Sequence, residues 1–256
     1  MKGILLDTYR DLMDRKMIYI YIIINLLTAF AYYITSDVDI PDQFVSPAEV
    51  TAGSISGFLT LLIFITVLGT AGLVPDMLSK GKSEYFLSKP MSRTSILVSK
   101  LLSIFLVYSF ILFVSYAFIS LVTLMLDGTA LFSTIYIFLF QLLSFIIWLI
   151  LTISVGVISG SFSFSIIAAF LMAVSNLIIV GILKAQELSG IFNERAILSI
   201  AKVVYLIIPN NNDIVDAGAE LFVSGKISNW EPIYSSIIFS ILLFSGAIYV
   251  FKRKSY

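Results

Sequence analysis

The chain has 256 residues, of which 59% are hydrophobic and only 12% are charged, and its 16 basic residues balance its 16 acidic residues. This composition excludes an ordinary soluble domain, which has no use for so much apolar surface. Because the sequence contains neither Cys nor His, it also excludes disulfides, thiolate metal sites, the HExxH zinc motif and a catalytic triad built on His.

The first 16 residues are charged and lack an apolar centre, which is not the pattern of a cleavable signal peptide. Helical spacing divides them into two faces. The apolar face holds Ile4, Leu5, Tyr9, Leu12 and Met13, and the polar face holds Asp7, Arg10, Asp11, Asp14 and Arg15. We therefore predict an amphipathic helix over residues 1–16 that lies on the inner surface of a membrane.

Six apolar runs follow, each long enough to cross a hydrocarbon core about 30 Å thick as a helix. They are apolar on every face, whereas the strands of a membrane barrel alternate polar and apolar residues. The sequence therefore predicts an all-α polytopic membrane protein with six transmembrane helices in a single domain over residues 1–256. The runs are Met17 to Ile34, Ile55 to Val74, Leu101 to Met125, Leu131 to Val155, Phe162 to Leu183 and Ile233 to Phe251.

The distribution of Lys and Arg predicts the orientation. Most of the 16 basic residues lie in residues 1–16, in residues 80–100 and in the tail after Phe251. The loops after the first and third runs carry acidic residues without Lys or Arg. By the positive-inside rule, both termini are cytoplasmic and the protein is a multi-pass protein of the cell membrane.

The long segment over residues 184–232 has mixed charge and is predicted to be extracytoplasmic. Within it, residues 196–208 form an apolar stretch too short to span, which we expect to be a helix in the outer leaflet that ends at Pro209. A second short helix is predicted from Asp213 to Ser224, ending at Gly225; a solvated loop is the alternative. The acidic cluster around Asp39 in the first outer loop lacks the spacing of a calcium site, which favours a solvated loop.

The six runs contain almost no charge, which argues against an ion-coupled pump. The larger uncharged polar residues within them, Asn25, Gln141 and Asn176, are candidates for a substrate path. Such residues more often join helices through interhelical hydrogen bonds. Two GxxxG patterns, at Gly53 and Gly156, are weak indications of a dimer face.

The segment from Pro75 to Lys100 is the only long basic stretch between two apolar runs. Pro75 suits the first position of a helix that runs toward Leu87, and Pro90 forces a corner after it. Ser92 can cap the next helix, which continues into the third run. Its Gly-Lys-Ser triplet lacks the glycine-rich turn of a phosphate-binding loop, so no nucleotide site is predicted.

One pattern in this segment resembles the permease subunits of ABC-2 type ABC transporters. Tyr9 to Lys16 before the first run and Tyr205 to Asn210, YLIIPN, before the last resemble the same family. The layout of six runs extends the resemblance over the whole chain. The central pattern comprises Gly81, Glu84, Leu87, Ser88, Pro90, Ser92, Arg93 and Lys100.

The resemblance implies a homodimer without a catalytic centre or cofactor of its own, docked to a separate cytoplasmic ABC ATPase that holds ATP and Mg²⁺. It implies short outer helices between the fifth and sixth spans, contact with membrane lipids and no nucleic-acid partner. The ATPase contact is expected at residues 75–95, through Lys80, Gly81, Lys82, Glu84, Leu87, Ser88, Pro90, Ser92 and Arg93, and at the N-terminal helix, through Tyr9, Arg10, Asp11 and Arg15. This chain departs from the family at Lys80 to Ser83, KGKS, which is more basic than usual.

The hypothesis from the sequence is a permease subunit of an ATP-driven exporter, which is not itself an enzyme. The alternative is an ion-coupled secondary transporter or a channel. A membrane enzyme is disfavoured because neither His nor a GxSxG motif is present. The Phe-rich, Ser-dotted runs select no particular substrate.

Overall fold

The structure is a computed structural model that describes residues 2–14, 16–36, 47–77, 92–127, 134–189, 202–205 and 207–253. These residues are almost entirely helical and include no strand. Nine helices longer than four residues are described, and we number them in chain order. They are α1 (Lys2–Asp14), α2 (Met17–Ser36), α3 (Pro47–Thr70), α4 (Leu73–Met77), α5 (Arg93–Asp127), α6 (Ile135–Ser159), α7 (Phe162–Ser189), α8 (Asn211–Ser224) and α9 (Glu231–Arg253).

Five segments are long and apolar enough to cross a membrane: those of α2, of α3 together with α4, and of α5, α6 and α9. The apolar part of α7, Phe162–Asn176, is shorter. The chain is therefore a helical, membrane-embedded protein by the length and composition of its helices. The sixth span stays a prediction.

Several predicted boundaries need correction. The second run was predicted to begin at Ile55, but α3 begins at Pro47 and ends at Thr70, before the short helix α4. The fourth run was predicted to end at Val155, but α6 continues to Ser159. The first error arises because a hydropathy window detects apolar residues, whereas polar residues such as Glu49 also form helix outside the apolar core. The second arises because α6 continues through Val157 and Ile158 to its C-cap at Gly160.

Local signals predicted other helix ends well. The hydroxyl of Ser92 accepts a hydrogen bond from the Ser95 backbone N–H at 3.2 Å, which is the predicted cap of α5. Gly225 ends α8 in the left-handed conformation, with φ at 71°. Pro75 is the third residue of α4 and not the first, a position where its missing N–H still costs no helical bond.

Contacts define two ends of the helical bundle. At the first, which we call the α1 end, Lys100 near the start of α5 binds α1, and Arg93 donates to the Lys252 carbonyl in α9 at 3.4 Å. At the other, the α8 end, Glu49 near the start of α3 lies beside the last turns of α8. Glu49 is about 30 Å along α3 from Gly69, which faces Met17 at the α1 end. The first described helix and the end of the last one therefore both contact the start of α5 at the α1 end.

The helix α8 packs inside the bundle, between α3 and α6. Its first residues, including Asn211, lie beside the middle of α3, and its last turns reach the α8 end. A Cβ on Gly218 would lie 2.8 Å from the Cβ of Phe140, so α8 and α6 are in close contact. The predicted short helix that ends at Gly225 is present, and the alternative of a solvated loop is wrong, since a row of apolar residues and Asn211 is buried on α8.

Polar side chains join the helices within the core, as is common where lipid removes the hydrophobic drive to associate. Asn25 donates to Ser115 at 3.0 Å and so ties α2 to α5. Gln141 donates to the Ser56 carbonyl and to Thr60 Oγ1, both at 3.0 Å, and so ties α6 to α3.

Candidate functional site

Two features of the described residues have functional chemistry: an ion cluster at the α1 end and a cavity in the side of the bundle. The ion cluster consists of Lys100, Asp7 and Asp11. Its Lys100 Nζ lies 3.1 Å from Asp7 Oδ2 and 3.3 Å from Asp11 Oδ2. Because the two aspartates are four residues apart on α1, they project from one face of the helix and can both accept hydrogen bonds from the same ammonium group.

Burial distinguishes the members of this cluster. Lys100 is 1% exposed, whereas the side chains of Asp7 and Asp11 are 45% and 38% exposed. Lys100 is the only Lys, Arg, Asp or Glu that is buried among the residues whose side chains are described. A buried ammonium needs compensation, and α1 supplies it. The cluster therefore fastens α1 to α5.

The predicted division of α1 into an apolar and a solvated face is wrong in part. Ile4, Thr8 and Leu12 are buried, and Asp7 and Asp11 lie beside this packing face and bind Lys100. Leu6, Tyr9 and Met13 are about half exposed and form a second apolar strip, while Arg10 and Asp14 are also exposed. The strip is what an interfacial helix would direct into lipid headgroups.

The predicted ATPase-contact residues are mostly beyond what the structure describes. Lys80, Gly81, Lys82, Glu84, Leu87, Ser88 and Pro90, together with Arg15, lie outside the described residues. Of the remainder, Ser92 caps α5 and Arg93 begins it. Tyr9 and Arg10 are exposed on α1.

Both flanks of residues 78–91 are firmly packed. On one side, Leu73, Val74 and Met77 in α4 are each less than 5% exposed. Pro75 packs against α6 so closely that a Cβ on Gly156 would lie 3.1 Å from its Cγ. On the other side, α5 is fastened to α1 through Lys100 and contacts α9 through Arg93. A force on this segment would be passed to α5 and α6.

The second feature is a cavity of about 350 Å³, which we call the lateral cavity. It is lined by the middle of α3, by Ser144 and Trp148 on α6, by Ala173 and Asn176 on α7, and by the first residues of α8. Gly57 and Leu61 on its α3 wall are exposed. The cavity therefore opens on the side of the bundle and not at either end.

Asn176 is the one predicted substrate-path residue that lines the lateral cavity. Its Nδ2 donates to the Pro209 carbonyl at 2.9 Å, which holds the chain just before α8. The next residue, Asn210, is also held in place, because its backbone N–H donates to Ser236 Oγ in α9 at 3.1 Å. Asn25 and Gln141 do not line the cavity and serve as the interhelical links described above.

A polar group also organises the chain before α8, outside the cavity. The Tyr205 hydroxyl donates to Asp213 Oδ2 at 2.6 Å. Burial, the hydrogen bond to Asp213 and the charges of Asp213 and Glu231 all raise the pKa of Tyr205 above its ordinary value. The hydroxyl therefore stays protonated as a donor at physiological pH.

Sequence reasoning missed the Lys100 cluster and the cavity wall formed by α8. The i, i+4 pair of Asp7 and Asp11 was a usable signal, since it matches a single buried cation, but nothing in the sequence identifies Lys100 as the partner. No protein-family model matches the chain, and no curated protein matches it significantly.

Proposed function

We propose that this chain is the permease subunit of an ATP-driven exporter in the cell membrane, with six spans and both termini in the cytoplasm. It forms the translocation path as a homodimer and is coupled to a separate cytoplasmic ABC ATPase, which holds the ATP and Mg²⁺. The α1 end of the bundle is then cytoplasmic and the α8 end is outside. The resemblance of residues 81–100 to ABC-2 permeases supports this assignment.

The observation that carries the proposal is the anchoring of residues 78–91 at both ends. The buried α4 lies before this segment and the capped helix α5 follows it. An ATPase that pushes on the segment would tilt α5 and α6, and α1 would move with α5 because of Lys100. Rigid transmission of this kind is how a closing ATPase dimer can drive a membrane subunit.

The observation that would favour the alternative, an ion-coupled transporter or channel, is the Lys100 cluster, because it places an ionisable group within a long apolar helix. Ion-coupled transporters place such groups deep in the bundle, where they relay ions or protons. Here Asp7 and Asp11 are more than one third exposed and lie at the α1 end. That position suits a fastening between helices better than an ion path.

The absence of Cys from the sequence makes a direct test simple. A Glu84→Cys variant, treated in membranes with a short thiol-to-amine crosslinker, should form an adduct with a polypeptide that mass spectrometry identifies as an ABC ATPase. An Asn229→Cys variant at the α8 end is the matched control and should give no such adduct. Absence of any ATPase adduct at Glu84, combined with transport driven by a proton or sodium gradient in ATP-free vesicles, would refute the proposal.

Replacement of Glu84 or Arg93 by Ala should uncouple ATP hydrolysis from transport. Both side chains belong to the expected ATPase contact, and Arg93 is only partly buried at the start of α5. The measurement is the ratio of cargo transported to ATP hydrolysed in proteoliposomes that contain both subunits. Unchanged coupling in both variants would place the ATPase contact elsewhere.

A further inference from the structure

The polar side chains around the lateral cavity are largely committed to neighbouring atoms of the protein. Thr60 Oγ1 donates to the Ser56 carbonyl at 2.8 Å. Asn176 Nδ2 donates to the Pro209 carbonyl, and the Oδ1 atoms of Asn176 and Asn211 are buried out of reach of a molecule in the cavity. The surface that an occupant can touch is therefore mostly hydrocarbon.

The other described walls of the cavity are apolar. Phe64 on α3 and Trp148 on α6 meet edge to face, with their ring centroids 6.4 Å apart. The transfer of a polar group into such surroundings costs free energy unless it finds a hydrogen-bond partner, whereas a hydrocarbon group has no such cost. The described apolar residues on the walls are Leu61, Ile63, Phe64, Trp148, Ala173 and Val215.

The cavity is continuous with the outer surface of the bundle at membrane depth. Its mouth lies beside Gly57 and Leu61, which are both exposed on α3. Leu61 lies about 20 Å from either end of the apolar segment Ala48–Met77, at about 1.5 Å per helical residue. A membrane-spanning helix is surrounded at this depth by the hydrocarbon chains of lipids. The mouth therefore faces lipid chains and not water.

The size of the cavity fits one hydrocarbon chain. Its volume is about 350 Å³. An engineered apolar cavity of about 150 Å³ binds benzene, so by that measure the lateral cavity holds roughly a dozen carbon atoms. An apolar cavity left empty forfeits the van der Waals contacts of its walls. Part of an acyl chain would restore these contacts, whereas a whole phospholipid is too large to enter.

We propose that the lateral cavity binds the terminal part of one acyl chain of a membrane phospholipid. The chain enters sideways past Gly57, and its headgroup stays at the membrane surface. Binding therefore depends on the hydrocarbon chain and not on the type of headgroup. The bound chain contacts α3, α6, α7 and α8 together, which makes it part of the packing of these helices. This site does not depend on the assignment of the protein as an exporter.

The test measures whether a lipid chain touches Trp148. The full chain with Trp230→Phe, which leaves Trp148 as its only tryptophan, is placed in phosphatidylcholine nanodiscs. The lipid is then replaced stepwise by phosphatidylcholine with bromine near the ends of its acyl chains, because bromine quenches tryptophan at contact. We expect the emission of Trp148 to fall in proportion to the mole fraction of brominated lipid, as for a single site. A steeper initial fall would mean that several surrounding chains reach Trp148, and would overturn the inference.

Gly57→Leu should abolish this quenching, because its side chain obstructs the mouth of the cavity. A Cβ on Gly57 would meet no described atom within 4 Å, so the larger residue has room without displacing its neighbours. Gly53→Leu is the matched control: Gly53 is also exposed with open space around it, but it lies one turn away and lines a different cavity. It should leave the quenching unchanged. Equal quenching in the two variants would overturn the inference.

Ala173→Leu supplies a second variant, because it reduces the cavity from the α7 wall without touching the mouth. It should also abolish the quenching, while circular dichroism shows that the helices are retained. Quenching that persists in a folded Ala173→Leu variant would contradict a chain inside the cavity.

Two further outcomes would assign the cavity to another occupant and overturn the proposal. Absence of quenching in the protein with Gly57 intact, in nanodiscs that contain two copies of the chain, would place the second copy over the mouth. Much stronger quenching by brominated phosphatidylglycerol than by brominated phosphatidylcholine would make the headgroup the determinant of binding. We expect equal quenching by the two lipids. Since the samples contain neither ATPase nor cargo, failure of the exporter assignment would leave these results unchanged.

Discussion

At the scale of single residues, the Lys100 cluster combines a buried ammonium with two partly exposed carboxylates. Two carboxylates share one buried ammonium, so either can compensate for it when the other is removed. The cluster is therefore expected to be strongly non-additive. This behaviour separates it from two independent surface ion pairs, each of which would have a small effect.

Asp7→Asn and Asp11→Asn should each lower the free energy of unfolding by about 1 kcal/mol, because one carboxylate remains on Lys100. The double variant should lose about 3–5 kcal/mol, since it leaves a buried ammonium unpaired. Addition of Lys100→Met to the double variant should recover most of that loss. The measurement is unfolding in nanodiscs followed by circular dichroism, with release of α1 detected by cleavage at Arg10. Additive effects of the two aspartates would disprove the shared-ammonium account.

Tyr205 gives a second prediction, on pH. Its pKa is raised in the folded protein, so the hydrogen bond to Asp213 contributes fully below the unfolded pKa of about 10. Above that pH the unfolded tyrosine releases its proton first, and stability falls as pH rises toward the folded pKa. The melting temperature should therefore decline more steeply above pH 10 in the wild type than in Tyr205→Phe. Parallel curves would show that Tyr205 does not carry this dependence.

At the scale of helices, contacts close to the α1 end determine where α4, α6 and α7 meet. A Cβ on Gly156 would lie 2.8 Å from Ser165 Oγ and 3.1 Å from Pro75 Cγ. The proline ring is held in a buried helix and cannot rotate away. The sequence pattern was a weak indication that Gly156 lies on a dimer face. In the structure, Gly156 instead makes close contacts within its own chain, with Ser165 and Pro75. A Cβ on Gly53, in the other GxxxG pattern, would meet no described atom within 4 Å, so this position is open to lipid or to a second copy.

These two glycines form a matched pair. Gly156→Ala should destabilise the protein by about 1–3 kcal/mol, the usual cost of overpacking. Gly53→Ala, in a similar helical setting without neighbours, should be neutral or slightly stabilising because Ala favours helix over Gly. Thermal unfolding of the two variants in the same nanodiscs decides the matter. Equal losses would mean that Gly156 is not a tight contact.

The helices also show how far the sequence could predict this structure. Apolar runs located five spanning segments, and Ser92 and Gly225 marked the ends of α5 and α8, because these signals are local. The start of α3 at Pro47 was missed because polar residues continue the helix beyond the apolar run. The Lys100 cluster and the burial of α8 depend on contacts between distant parts of the chain. Only Asn176 among the cavity's polar residues stood out beforehand, since Asn211 read as part of an outer loop.

At the scale of the whole molecule, α1 and the end of α9 both contact the start of α5, at one end of the bundle. If α1 and α9 lie on one side of a membrane, the chain between them must cross it an even number of times. Five spans would separate them. The helix α7 is therefore the element on which the topology depends. Its described apolar stretch is the shortest of those that the six-span arrangement needs.

Single cysteines in the Cys-free chain should resolve the topology. Lys2→Cys and Ser255→Cys should both be protected from a membrane-impermeant maleimide added to intact cells, and both should react after lysis. Asn229→Cys, between α8 and α9, should react in intact cells. Reaction of Lys2→Cys and Ser255→Cys on opposite sides would show five spans and would remove the basis for a cytoplasmic α1 end.

The hydrogen bond of Asn176 has one further consequence, for the two residues that precede α8. Its Nδ2 donates to the Pro209 carbonyl from α7, and the Asn210 backbone N–H donates to Ser236 Oγ in α9. The start of α8 is therefore tied to two helices through adjacent residues. A tilt of either α7 or α9 would reach α8 through Pro209 and Asn210.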